Sequence, residues 1–330
     1  MHKSLYNGKG LYLSKSRLLY DTINFMKLQY FLFLLTITNI LFAKEPITPI
    51  PLTVDVNPKK AALGKELFFD TALSADNTIN CATCHQLNAG GDDNLPFSFG
   101  IKGQKGPINS PTVYNAVFNF RQFWDGRAAD LQEQASGPIE NPKEMGNNFK
   151  NLISKLNKTT YKKKFNSIYN DGITKANITD AIAEYEKTLI TPNAPFDRYL
   201  RGDKTALTKE QKEGYELFKS KGCISCHHGI NIGGNMYNKF GIFEDSKSKN
   251  LGRYNVTHLE RDKYYFKVPS LRNIARTAPY FHNGSARTLH EAVRIMAKFQ
   301  LGRKITPQEV DKIVAFLKSL NGKIPKSIEP

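Results

Sequence analysis

Cys81-Ala82-Thr83-Cys84-His85 and Cys223-Ile224-Ser225-Cys226-His227 constrain this chain more than any other feature. Each is a Cys-x-x-Cys-His pentad, the attachment pattern of a c-type haem. Two thiols add to the two vinyl groups of one porphyrin, and the next imidazole is placed to bind the iron. The chain has 4 cysteines and the pentads use all of them. A zinc site would bring its Cys pairs within about 15–20 residues of each other, and a thioredoxin-like centre needs one pair without the His. Vicinal Cys-x-x-Cys disulfides are usually redox-active rather than structural. The expectation is two covalent haems in one chain.

At 330 residues the chain can hold about two ordinary domains. Its composition, 40% apolar, is that of a globular protein. The net charge of +17 admits nucleic acid, an anionic surface or an acidic protein as partner. No nucleic-acid motif accompanies it, and the lysines are spread along the chain, which favours a solvated basic surface that an acidic redox partner can use. Near the start, Met26-Lys27 precedes an apolar run from Tyr30 to Phe42, with Ala43 as a small residue for cleavage. That order reads as a secretory signal, the run being short for a membrane-spanning helix of about 20 residues; an uncleaved N-terminal anchor is the alternative reading. Met26 reads as the true start and residues 1–43 as an over-extended frame plus signal peptide. Export, c-haem assembly outside the cytoplasm and the absence of a spare thiol agree on the periplasm, with no stable membrane insertion.

The remainder repeats one plan. Gly64-Lys65-Glu66-Leu67-Phe68 precedes the first pentad and Gly214-Tyr215-Glu216-Leu217-Phe218 the second, each in a short amphipathic helix. Ile178, Ile182, Tyr185 and Leu189 mark a closing helix after the first pentad, starting near Thr179-Asp180. Ile313, Phe316, Leu317 and Leu320 mark one after the second, behind the start signal Thr306-Pro307-Gln308-Glu309 and stopped by Asn321-Gly322. The prolines of Thr191-Pro192-Asn193-Ala194-Pro195 form a hinge. The expected fold is mainly α, two cytochrome c-like domains with long loops: 44–200 around the first haem and 201–330 around the second.

Axial ligands decide chemistry. A haem iron closed by Met or His shuttles electrons, whereas an open one can bind a small ligand. Met296, on an expected helix from Thr288 to Phe299, is the candidate sixth ligand opposite His227; Met236, in a Gly-Gly-Asn-Met loop close to the pentad, is poorly placed. For His85 the spacing allows Met145 as a ligand or Glu144 as a general acid/base beside an open iron, and does not choose.

Further segments carry a resemblance. They include Leu67-Phe68-Phe69-Asp70, Gln104-Lys105-Gly106-Pro107, Phe123-Trp124-Asp125-Gly126-Arg127, Leu189-Ile190-Thr191-Pro192, Pro195-Phe196-Asp197-Arg198, Pro269-Ser270-Leu271-Arg272-Asn273 and Thr277-Ala278-Pro279-Tyr280-Phe281-His282. Over most of residues 60–320 the chain resembles the bacterial di-haem cytochrome c peroxidases. The resemblance implies a peroxidatic first haem and an electron-transfer second haem with Met296 as its ligand. It implies Glu144 as catalytic carboxylate, Gln134 as a second distal-pocket residue, Trp124 between the haems, and calcium held by Asn109, Thr277 and the Pro279 carbonyl. It also implies hydrogen peroxide as substrate, a small periplasmic cytochrome or similar donor, and a homodimer. His282 matches a family histidine with no chemistry assigned.

One position departs. Many family members carry a distal His sixteen residues after the proximal one, and this chain has Ile101, which cannot ligate iron. The expectation is a first haem open even when oxidised, unless another side chain such as Lys102 substitutes. Two rival readings are a di-haem electron carrier without peroxidase activity, and the related protein-maturation oxidases, which resemble this family but have Tyr where this chain has Met296.

Overall fold

The computed structural model describes residues 26, 27, 29, 45–246 and 248–325. The expected signal peptide falls almost wholly outside them. Among the described residues no helix is long and apolar enough to cross a membrane. The unit that begins at Pro46 is mainly helical. Its strands are one antiparallel pair, Tyr237–Lys239 against Tyr265–Lys267, with Asn238 opposite Phe266.

Two helix crossings organise it. In the first half Pro58–Phe69, capped by the Asn57 side chain, packs on Lys175–Lys187. In the second, Lys209–Ser220 packs on Pro307–Lys318, and Thr208 and Thr306 each close a capping box with the residue at N3. Both crossings turn on a glycine. A Cβ on Gly64 would stand 1.8 Å from the Ala181 carbonyl oxygen, and one on Gly214 would stand 1.9 Å from that of Lys312. The backbones therefore touch, and large apolar side chains fill the space on either side. Leu63, Leu67, Ile178 and Ile182 belong to the first core; Tyr215, Phe218, Ile313 and Phe316 belong to the second.

Two boundaries differ from the sequence reading. The first closing helix starts at Lys175 because Thr174, not Thr179, accepts from the Asn177 N–H as N-cap. The helix carrying Met296 is α-helical only over Leu289–Ile295 and then widens into a π turn, Met296–Gln300. Such turns are rare and recur at functional sites.

A second repeat runs through the loops. Pro111 to Asn115 recurs as Pro269 to Asn273, and both asparagines are left-handed (φ 60° and 59°) ahead of a short 3-10 turn. Phe123-Trp124-Asp125-Gly126 recurs as Phe281-His282-Asn283-Gly284, again with a left-handed Phe in each copy (φ 66° and 71°). The bridge Gln122–Ala128 recurs as Tyr280–Ala286.

Replacing Gly64 or Gly214 by Ala should cost about 1–3 kcal/mol, the range for overpacking a close contact. Urea unfolding checks this through the midpoint; a wild-type curve would show that the crossing tolerates a methyl group.

Candidate functional site

The first pentad forms a short helix, Cys81–Cys84, held by Asn80. Its side chain accepts from the Thr83 N–H at 2.9 Å and donates to the Phe69 carbonyl at 2.6 Å, tying the thiols to the first helix. The second pentad forms a 3-10 turn, Cys223–Ser225, after the left-handed Gly222. In both, the imidazole is aimed the same way. His85 Nδ1 donates to the Gly91 carbonyl at 3.1 Å, and His227 Nδ1 to that of Ile232 at 3.2 Å. A carbonyl only accepts, so each Nδ1 carries the proton and each Nε2 lone pair is free for a metal. Burial keeps both rings neutral, lowering His85 and bringing His227 down to about 4. The four cysteines are free. Burial, aided by neighbouring Asp93 and Glu144, pushes Cys84 up to about 11, and burial brings Cys223 to about 11.

The second pentad opens on a deep, mainly apolar cavity walled by Phe218, Cys223, Cys226, His227, Leu289, Met296 and Leu317. One imidazole, one thioether and an apolar wall fit a haem closed on both faces. Met296 is the eighth residue after its N-cap, Thr288; the eighth after the corresponding N-cap, Asp130, is Pro138. The first half thus has no thioether where the second has Met296.

At the first pentad the two candidates that spacing left open lie in different surroundings. Met145 is buried in the first core with Leu73 and Phe149. Glu144 is near enough to Cys84 to act on its thiol. Burial raises the Glu144 pKa, while Arg127 and the Asn141 amide, which donates to its Oε1 at 2.7 Å, pull it back. Arg127 lies over the Phe123 ring, 3.5 Å from its centroid, and is bound to Asp125. Gln134 is half-buried on the helix Leu131–Glu140, and among the described residues no hydrogen bond joins its side chain to Glu144. Ile101 is buried, its N–H donating to the Glu144 carbonyl at 2.8 Å. Its Cδ1 lies 2.2 Å from where a Cβ on Gly146 would be. The Ile101 loop is therefore clamped to the Glu144 loop, and Lys102 is exposed.

Trp124 stands on the wall of the second cavity. Its Nε1 donates to the Asn109 carbonyl at 2.9 Å, and its ring meets His282 edge-on, centroids 6.2 Å apart. His282 stacks on Phe266 and shares a 2.8 Å hydrogen bond with Ser248. Asn109, Thr277 and Pro279 line the same cavity. The Asn109 Nδ2 donates to the Leu95 carbonyl, so its Oδ1 is left for a cation. Asp92, 1% exposed, lines the same cavity, and its Oδ2 has no hydrogen-bond partner. Oxygen donors with one unpaired carboxylate fit a hard cation.

Sequence reasoning missed four residues: Asn141 and Arg127, which set the Glu144 environment, and Asp92 and Lys267, which face the central cavity. Only Asp92 carried a signal, as an acidic residue in the glycine-rich loop after the first pentad.

Residues 58–205 match the family model described as di-haem cytochrome c peroxidase, and residues 211–321 match cytochrome c. Cytochrome c peroxidase Ccp of Escherichia coli (strain K12) is 52% identical over 285 residues, 84% of this chain and 61% of that one. The chain thus spans less than two thirds of that relative's length. Cytochrome c551 peroxidase of Nitrosomonas europaea is 49% identical over 291 residues, 87% of each. A crystal structure of a MauG-like protein associated with microbial copper homeostasis superimposes with a TM-score of 0.73 at 24% identity, covering 84% of this chain and 93% of that one. The diheme peroxidase BthA of Burkholderia thailandensis E264 gives 0.69 at 21%, covering 87% and 95%. These two likenesses show the fold alone.

Replacing Cys81 and Cys84 together by Ala should leave one haem per chain in the pyridine haemochrome assay, as should replacing Cys223 and Cys226. Two haems retained in either variant would contradict the assignment of the pentads.

Proposed function

Because the chain belongs to the di-haem cytochrome c peroxidase family, we propose that it reduces hydrogen peroxide to water beside His85, with electrons that enter beside His227 and Met296. The chain carries two haem c. Bound there, they supply the redox-active iron that takes electrons from a donor and delivers them to peroxide.

The protein's own residues supply the rest. His85, fixed through Nδ1 by the Gly91 carbonyl, presents Nε2 to the metal and leaves the opposite face to substrate. Glu144 would take a proton from one peroxide oxygen and return it to the other, which leaves as water; two electrons from the donor and two protons from solvent turn the remaining oxygen into the second water. Asn141 holds the carboxylate at one oxygen and leaves the other to act. Gln134 positions the peroxide from the neighbouring helix. Trp124 lies on the path between the sites, held by its bond to Asn109. The observation that carries the reading is the contrast between the halves: a half-buried carboxylate near Cys84 in one, and Met296 facing His227's cavity in the other.

The first site is open in the oxidised protein on this reading. Ile101 offers no ligand, and its side chain packs on Gly146 within a loop already clamped beside Glu144. The reading also takes the halves as domains 44–200 and 201–330, a small c-type cytochrome or similar protein as donor, the periplasm as compartment, and calcium at Asn109, Thr277 and Pro279 with Asp92 facing it. The excess of Lys and Arg over Asp and Glu, which persists beyond residues 1–43, supports an acidic donor.

Glu144→Gln should lower kcat by about 10²–10⁴-fold, the usual range for a lost general acid/base, with both haem spectra retained. An active Gln variant would remove the role. As a base, Glu144 must be ionised. Burial raises its pKa, so kcat/KM should fall as pH drops through that raised value and level off above it, and the Gln variant should lose this limb. Asp92→Asn should weaken calcium binding about tenfold by titration calorimetry, since charge count sets affinity at such sites; unchanged affinity would place Asp92 outside the site.

A further inference from the structure

Lys267 is 6% exposed and lines the central cavity with Trp124, His227 and Met296. Among the described residues no carboxylate or hydrogen-bond acceptor is paired with its ammonium, so a largely desolvated charge lines the cavity without a protein partner. An unpaired buried ammonium is strongly unfavourable, and the side chain points to an anion that the protein's residues do not provide. Asp92, the unpaired carboxylate on the same wall, is not joined to it by an ion pair.

The loop repeat says what kind of position this is. Asn109-Ser110-Pro111 in the first half corresponds to Lys267-Val268-Pro269 in the second. The backbone bonds match: the Asn109 N–H donates to the His282 carbonyl at 2.9 Å, and the Lys267 N–H to the Trp124 carbonyl at 2.8 Å. Trp124 and His282 are themselves counterparts. Lys267 therefore occupies, in the second half, the place where the first half presents Asn109 to a bound cation.

We propose that Lys267 is a built-in counter-cation that pairs with a propionate carboxylate of the second haem and sets that haem's reduction potential. The proposal rests on the reading of the His227–Met296 site as the electron-entry haem. Reduction adds an electron, so a fixed positive charge nearby favours the reduced form. Asn109 needs an exchangeable ion to act in the same way, whereas Lys267 needs none. The role is one of positioning and electrostatics; Lys267 touches no peroxide.

Spectroelectrochemical titration of the purified di-haem protein tests it. Lys267→Met should move the reduced-to-oxidised ratio of the Met296-side haem about tenfold toward oxidised at a fixed potential, the order expected for one nearby charge. The other haem should move less, and Lys267→Arg should stay near wild type. A Met variant with two haems per chain and an unchanged curve would overturn the proposal. If neither Lys267→Met nor Lys267→Gln acquires the second haem while the Arg variant does, the demand for a cation is upheld; if the Arg variant fails too, side-chain shape is at issue and the proposal fails. The potential is read without peroxide, so a failure here leaves the peroxidase reading standing, and loss of turnover would not touch this result.

Discussion

The two halves are held in one arrangement by a buried knot of amides around Thr191. Asn115 Nδ2 and Asn273 Nδ2 both donate to the Thr191 hydroxyl at 2.8 Å, Asn115 Oδ1 accepts from the Thr191 N–H at 2.8 Å, and Asn273 Oδ1 accepts from the Gly322 N–H at 2.9 Å. Each asparagine comes from one copy of the loop repeat, and Thr191 comes from the link between the halves. Polar groups this deeply buried are costly unless paired, about 1–3 kcal/mol for each one left unsatisfied, so one register between the halves satisfies the set. A fully buried ion pair adds to it: Arg272 binds Asp197 at 2.7 Å and also donates to the Thr48 carbonyl, which brings the segment after Pro46 into the second core.

Around that knot the sequence is symmetric and the chemistry is not. The helix crossings, proximal imidazoles, left-handed asparagines and aromatic turns occur twice. The differences are single residues at equivalent places. Met296 corresponds to Pro138, Lys267 to Asn109, and His282 to Trp124. One copy gains a thioether and a fixed cation, and the other gains a carboxylate on an added loop. A carrier and a catalyst can thus share one scaffold, because the scaffold fixes Nε2 while the opposite face is free to vary.

Much of this was legible in the chain. The pentads announced both metal-binding imidazoles because covalent attachment demands a fixed spacing. The closing helices were visible because Ile178, Ile182 and Tyr185, or Ile313, Phe316 and Leu317, recur at helical period. What stayed hidden depends on contacts between distant segments. The π turn at Met296 leaves no local mark. The first closing helix starts at Lys175 because the Thr174 hydroxyl caps it, and Thr179 looked equally able in sequence. Met145 and Glu144 are neighbours with opposite surroundings, one in the first core and the other half-buried beside the Ile101 loop, a difference that spacing does not show. Lys267 was one lysine among many until its burial showed that it lacks a partner.

The central claim is that one iron is closed by Met296 and the other is accessible without prior reduction. Cyanide titration of the fully ferric protein tests it directly. The account predicts one cyanide bound per chain, at the His85 haem, with the Met296-side haem spectrum unchanged. No cyanide uptake until the protein is half-reduced would contradict it.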